Sequence, residues 1–138
     1  MPAKDTYHDS VKRALINDGW RITHDPLRLH WGVKDLYVDL GAEQLFSAEK
    51  TGQRIAVEIK SFVGASAMYD LEEALGQYLV YRSVLSRTEP ERLLYLAVHH
   101  EAFLDIFDAA LGQLLLADYQ VRLIVYDLQT EVILAWIP

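Results

Sequence analysis

Asp39, Glu58 and Lys60 are the residues of this chain whose types and spacing could do chemistry. The stretch Arg54-Ile55-Ala56-Val57-Glu58-Ile59-Lys60 reads as a buried strand. Side chains alternate along a strand, so Ile55, Val57 and Ile59 share one face and Ala56, Glu58 and Lys60 the other. A carboxylate and an ammonium on an otherwise apolar strand are costly unless they pair or do chemistry. Two residues apart on one face, they stand about 7 Å from each other. Asp39, at the end of a neighbouring strand, can bring a second carboxylate to Glu58. Two acids plus waters suit Mg²⁺, with Mn²⁺ as a substitute, because magnesium binds through one or two carboxylates and keeps much of its hydration. Such an ion acidifies a water and offsets charge on a phosphate oxygen. Lys60 would orient that water or stabilise developing charge. Gln77, on the following helix, could hold a phosphate or a water. The bland alternative is a structural ion pair between Glu58 and Lys60, a common surface feature that contributes only about 0–1 kcal/mol.

The elements that must position these residues follow from periodicity. Thr6 to Asp18 reads as a helix, with Asp5 or Thr6 as cap, an apolar stripe of Val11, Ala14 and Leu15, and Gly19 as its stop. Trp20–Thr23 and Leu27–Trp31 alternate as strands about a break at His24-Asp25-Pro26. Lys34 to Leu40 is a third alternating run that carries Asp39 near its end. Leu45–Glu49 and Gln53–Lys60 flank Lys50-Thr51-Gly52, a hairpin signal. A helix starts at Ser66 or Asp70 and runs to about Ser86, with Leu71, Leu75, Tyr78 and Leu85 on its apolar side and Gln77 at the edge. Leu93–Val98 and Val121–Tyr126 are continuous apolar runs, expected of strands covered on both faces. Phe103 to Leu116 reads as a helix interrupted near Gly112, and Glu131–Ile137 as a last strand. The order predicts an α/β fold, a mixed central sheet flanked by helices. The helix between the Glu58 strand and the Leu93 strand makes a crossover if those strands are parallel neighbours.

The chain has 138 residues, half of them hydrophobic, which predicts a single domain over 1–138 with a substantial core. It has no cysteine, hence no disulfide framework and no thiolate metal site. The N-terminus lacks the apolar run of a signal peptide, and no stretch approaches the length of a membrane span, so a cytoplasmic location is expected. A net charge of −7 argues against broad electrostatic nucleic-acid binding, but not against a local basic groove or acids that collect a divalent cation.

Asp39 with Glu58-Ile59-Lys60 resembles the metal site of the PD-(D/E)XK restriction-endonuclease-like superfamily, and the helix bearing Gln77 resembles the glutamine-bearing helix of several of its branches. The resemblance implies a restriction-endonuclease-like fold. Val38 rather than proline precedes Asp39, and Asp39 lies far from the turn at Thr51-Gly52, so Glu43 competes as the first acid. A closer resemblance covers nearly the whole chain. Ala3-Lys4-Asp5, His8-Asp9, Asp18-Gly19-Trp20, Thr23-His24-Asp25-Pro26-Leu27, Asp35-Leu36-Tyr37, Asp39-Leu40-Gly41-Ala42-Glu43, Ala56-Val57-Glu58-Ile59-Lys60-Ser61-Phe62, Ala74-Leu75-Gly76-Gln77-Tyr78 and Leu123-Ile124-Val125-Tyr126-Asp127 are similar to the XisH family. These are fdxN-element excision controlling factors of heterocyst-forming cyanobacteria. The resemblance implies a role in a DNA rearrangement by a site-specific recombinase, with DNA, an XisI-like protein and the recombinase as expected partners. Fold and family do not fix chemistry. Two functions therefore compete: Mg²⁺-dependent DNA cleavage, or a catalytically inactive accessory module that binds an XisI-like protein or the recombinase.

Other polar pairs read as structure. His24-Asp25-Pro26 is expected to be a turn rather than an acid/base pair, and Asp35 a solvent-facing residue beside Lys34. His99 and His100 are adjacent and point apart on an extended chain, so with Glu101 they read as a helix start rather than a chelate. Trp31, Tyr69 and Tyr81 read as packing aromatics. Leu111, Leu114, Leu115 and Leu116 exceed one helix stripe, which suits core or a subunit surface; the expected assembly is a homodimer.

Overall fold

The computed structural model describes residues 5–45 and 52–138. The chain begins with α1 (His8–Asn17), β1 (Arg21–His24), β2 (Leu27–Trp31), β3 (Lys34–Val38), β4 (Leu40–Leu45) and β5 (Gly52–Ile59). The long α2 (Ala67–Thr88) follows, then β6 (Leu93–His99), the single turn α3 (His100–Ala102), a π-turn over Phe103–Phe107, α4 (Ala110–Tyr119), β7 (Leu123–Asp127) and β8 (Val132–Ile137). Six strands form one mixed sheet in the order β1-β4-β5-β6-β7-β8. β5, β6 and β7 run parallel at its centre, and the outer pairs are antiparallel. Helices flank this sheet, which is the α/β architecture the order of elements predicts. The expected hairpin at Lys50-Thr51-Gly52 and the expected strand Leu45–Glu49 fall largely outside the described residues.

The two faces of β5 go to different cores, as its alternation requires. Ile55, Val57 and Ile59 pack with Val11, Ala14 and Leu15 of α1 and with Tyr95, Ala97, Ile124 and Tyr126. Ala56 packs on the other side with Leu71, Ala74, Tyr78 and Leu85 of α2 and with Leu96 and Leu123. Tyr78 is fully buried, and its hydroxyl donates to the Leu94 carbonyl and accepts from the Arg122 N–H, both at 3.0 Å. This locks α2 to the central strands. α2 opens on Ser66, whose hydroxyl accepts the Tyr69 N–H at 3.1 Å, so Ser66 rather than Asp70 is the cap. α1 lacks a side-chain N-cap bond; Asp5 instead accepts the Tyr7 N–H just before it, at 2.9 Å.

Two sequence expectations are corrected. The alternating run from Lys34 to Leu40 is not one strand. It breaks at Asp39: β3 pairs with β2 in a separate two-stranded sheet, and β4 joins the main sheet. Alternation alone cannot show that a chain changes partner between one residue and the next. Nor does Gly112 interrupt the late helix. The break lies before α4, and Gly112 is buried where an added Cβ would collide with the Ile106 carbonyl. Its lack of a side chain lets α4 press against the preceding π-turn. Among the described residues, no helix is long and apolar enough to cross a membrane.

Candidate functional site

Asp39 is the single residue between β3 and β4, so both flanking strands fix it. Leu40 pairs with Val57 in register, which brings the Asp39 backbone beside Glu58. The two acids interlock. The Asp39 N–H donates to Glu58 Oε1 at 3.2 Å, and the Ile59 N–H donates to Asp39 Oδ2 at 2.8 Å. Glu58 is only 6 % exposed, on the α2 face of the sheet. Burial first, and then the charge of Asp39, push the Glu58 carboxyl up to about 9. Burial also raises Asp39, against the lowering effect of the Ile59 N–H and of a hydrogen bond from Glu58. Two carboxylates this close cannot both ionise without a counter-charge. At neutral pH Glu58 therefore retains a proton, which it shares with Asp39.

Lys60 lies one residue past the end of β5 and does not pair with Glu58. Its ammonium is held by Glu73 and stands 3.9 Å from Asp70, both on α2. Burial lowers the Lys60 pKa, but Glu73, Asp70 and Asp5 outweigh it and keep the group above its ordinary value. Asp70 also accepts the Gly64 N–H at 3.1 Å. A Cβ on Gly64 would sit 2.8 Å from Asp70 Oδ2, so glycine is needed for that approach. Asp5 reaches into the same region and accepts the Ser61 N–H at 2.9 Å. His99 closes the loop from behind, its Nε2 donating to the Ser61 carbonyl at 3.0 Å.

α2 lines the site with residues seven and eleven positions beyond Asp70, which share one face of a helix. The nearer of these, Gln77, is exposed, and no hydrogen bond ties it to Asp39, Glu58 or Lys60 among the described residues. The farther, Tyr81, is half-buried; burial and then the charges of Glu58 and Asp39 push its hydroxyl up to about 12. Glu43 stands opposite Arg54, four positions along β5 from Glu58, and pairs with Arg21 on the edge strand. The chain thus brings together Asp39, Glu58 and Lys60, and leaves Glu43 outside.

Sequence reasoning missed Asp5, Asp70, Glu73 and Tyr81. Asp5 read only as a cap and Tyr81 only as packing. The i, i+3 spacing of Asp70 and Glu73, on the helix that directly follows the Glu58 strand, was the available signal. The other candidates remain apart from the site. Asp25 takes His8 Nε2 at 2.7 Å and Lys12 Nζ at 2.8 Å rather than His24. Asp35 is solvent-facing, as expected, and accepts from Arg28 and His30. His100 and Glu101 are exposed at the α3 turn.

The donor set fits a hard divalent cation. Glu58, buried, and Asp39, partly buried, are oxygen-only donors, and a cation can take the place of a proton between them. Among the described residues, no group of three or more histidine, aspartate or glutamate side chains could hold a metal ion. The protein would therefore supply two carboxylates and leave the remaining positions to water or substrate, as magnesium tolerates.

The molecule is a mixed α/β protein, a six-stranded sheet flanked by helices, with a carboxyl pair at the end of a central strand and a lysine two residues on. Residues 1–134 match the model of the family described as XisH protein, and the chain belongs to that family. A crystal structure of an XisH family protein from Nostoc punctiforme PCC 73102 is 41% identical, with a TM-score of 0.88 over 97% of this chain and 100% of that one. A fdxN element excision controlling factor protein from Anabaena variabilis is 40% identical, with a TM-score of 0.87 over 98% of this chain and 100% of that one. The search of curated proteins returned no match.

Proposed function

We propose that this chain acts in the excision of a DNA element and contributes a Mg²⁺-dependent DNA-cleaving site at Asp39, Glu58 and Lys60. The observation that carries the reading is the interlocked carboxyl pair: buried Glu58 and partly buried Asp39 bond across the strands, and among the described residues no cation is a hydrogen-bond partner of either. The excision role draws on the relative from Anabaena variabilis, which is named for it. Asp39 and Glu58 would hold the ion. When bound, magnesium supplies charge neutralisation for a phosphate and acidifies a water. Lys60 stays protonated beside the pair and can stabilise charge on a phosphate oxygen once Glu73 yields it. Gln77, one turn before Tyr81, can bind a phosphate from the helix side.

The test is calorimetry of Mg²⁺ and Mn²⁺ with wild type and Glu58→Ala, followed by cleavage of duplex, branched and single-stranded DNA. Binding lost in the variant and cleavage lost in Glu58→Ala and Lys60→Ala are expected. No cleavage of any substrate with either metal would refute the enzymatic reading.

One observation favours the second reading, a catalytically inactive module that binds an XisI-like protein or the recombinase. Leu111 and Leu114 of α4 are exposed, Leu114 by 55 %, while Leu115 and Leu116 face the core. Co-purification with such a partner, lost in Leu114→Glu and kept in Glu58→Ala, would support it. A homodimer built on the same surface would lose its mass to the same Leu114→Glu change.

A further inference from the structure

The helix that faces the carboxyl pair also carries a groove of different character. The β2–β3 hairpin packs against the second half of α2. Between them, Trp31, Val80, Ser83, Val84 and Arg87 line a cavity of about 350 Å³, within the range of small-ligand sites (roughly 300–1,000 Å³). Trp31 is 52 % exposed although it is the largest side chain there, and Val33 at the hairpin tip is almost wholly exposed. Val80 precedes Tyr81, which faces the acids, and Lys34 is four residues from Val38 along β3, about 13 Å. The groove and the site are thus built on neighbouring faces of the same helix, α2.

Two cations stand at the groove in an otherwise acidic chain: Arg87 lines it from α2, and Lys34 lies opposite Trp31 in the hairpin register. The protein has a net charge of −7, yet α2 carries no acid after Glu73, and Arg87 in that span lines the groove while Arg82 turns to the Tyr119 and Gln120 carbonyls. On the hairpin, Arg28 and His30 take Asp35 on the other face, which leaves Lys34 as the cation beside Trp31. Most other described cations are matched: Lys12 with Asp25, Arg13 with Glu131, Arg21 with Glu43, Arg54 with Glu91, Lys60 with Glu73 and Arg92 with Glu89. Among the described residues, Arg87 bonds only to Ser83 and Ser86, and Lys34, opposite Trp31 in the hairpin register, has no carboxylate partner. A half-exposed indole flanked by unmatched cations is the combination that binds unpaired nucleotides: the ring takes a base face and the cations take phosphates. A duplex keeps its base faces covered and would leave Trp31 unused.

We propose that the groove between the β2–β3 hairpin and α2 binds single-stranded DNA, with a base stacked on Trp31 and the backbone phosphates against Lys34 and Arg87. This rests on the reading of the protein as one that acts on DNA, and it names an unpaired strand as the form presented to the carboxyl pair.

The experiment is fluorescence anisotropy of a labelled 12-nucleotide oligothymidylate at low salt in EDTA, with a matched duplex and an oligouridylate as comparators. Wild type binds the oligothymidylate more tightly than either. Trp31→Ala weakens binding about tenfold or more, as expected for loss of one stacked base, and Trp31→Phe restores most of it. Arg87→Ala and Lys34→Ala each reduce the slope of log affinity against log salt by about 0.7. Arg13→Ala, on α1 against the other side of the sheet, changes neither. Tighter binding of the duplex or the oligouridylate, no binding at low salt, or a Trp31→Ala protein that binds like wild type overturns the proposal. Because the assay contains no metal, loss of Mg²⁺ binding and cleavage with oligonucleotide binding intact would sink the cleavage reading alone. Metal binding and cleavage intact, with no dependence on Trp31, would sink the groove alone.

Discussion

Asp25 and Glu58 are both acids drawn into the fold, and the chain treats them in opposite ways. Asp25 is partly buried, which by itself raises its pKa, but Lys12 and His8 close on its two oxygens and hold it below the usual carboxylate range. Both oxygens of Asp25 are taken by nitrogen donors. Glu58 is more deeply buried and meets another acid instead of a base, and its carboxyl rises to about 9. The cation that could have neutralised it, Lys60, is turned to Glu73 and Asp70 on α2. An acid whose oxygens are both bonded to nitrogen donors is held ionised as part of the fold. An acid pair left without its counter-charge is an arrangement suited to a ligand, and perturbed carboxyls of this kind concentrate at functional sites.

The comparison can be broken most directly with a metal. Glu58→Ala is expected to lower Mg²⁺ affinity at least a hundredfold by calorimetry, whereas Asp25→Ala leaves it within a few-fold; equal losses would mean that the two acids do not differ in kind. For stability the order reverses. Asp25→Ala strands the buried His8 nitrogen and should cost about 1–3 kcal/mol in urea unfolding. Glu58→Gln at pH 8 should be neutral or stabilising, because it removes a buried group whose charge is unfavourable.

The pH dependence sharpens the contrast further. The Glu58 pKa is raised on folding, so in the unfolded chain the proton leaves near 4.5 and in the folded protein near 9. Its stabilising contribution is full below the unfolded value and is lost as pH rises through the folded one. In EDTA, stability should fall between pH 6 and 9 with a slope approaching about 1.4 kcal/mol per pH unit from this group. Millimolar Mg²⁺ or Glu58→Gln should flatten that slope; an unchanged slope in Glu58→Gln would show that another group titrates. Asp25, with its pKa lowered, acts in the other sense: its contribution is present above the unfolded value and fades only as pH falls into the acid range. The smallest effect is expected at Glu73→Gln. Its carboxylate is largely solvent-screened, so stability should change by less than about 1 kcal/mol. The Lys60 pKa, followed by NMR of its side chain, should nevertheless drop, because burial then acts without Glu73.

Much of this was legible in the order of residues. Alternation along Arg54–Lys60 put Glu58 on the face opposite Ile55, Val57 and Ile59, and the cores divide that way. The change of period after Gly64 marked α2 as starting at Ser66 or Asp70 and running to about Ser86, against an observed span of Ala67–Thr88, and the apolar runs at Leu93 and Val121 marked β6 and β7. These are local signals, set by the repeat of helix and strand against water. Asp39 was marked as a partner for Glu58 by type and position, yet the reason it arrives there, a chain that leaves one sheet and enters another at that residue, is not a property of its neighbours in sequence.

The sequence by itself determined the α/β order, the burial of a charged strand and the family to which the chain belongs, because periodicity, composition and residue identity are all carried by the chain one stretch at a time. Only the tertiary structure decided which charges meet. Lys60 belongs to Glu73 and Asp70, thirteen and ten residues away, and not to Glu58 two residues before it; Asp5 reaches Ser61 across more than fifty residues. Charge pairing depends on distance and burial in space, and sequence separation carries no record of either.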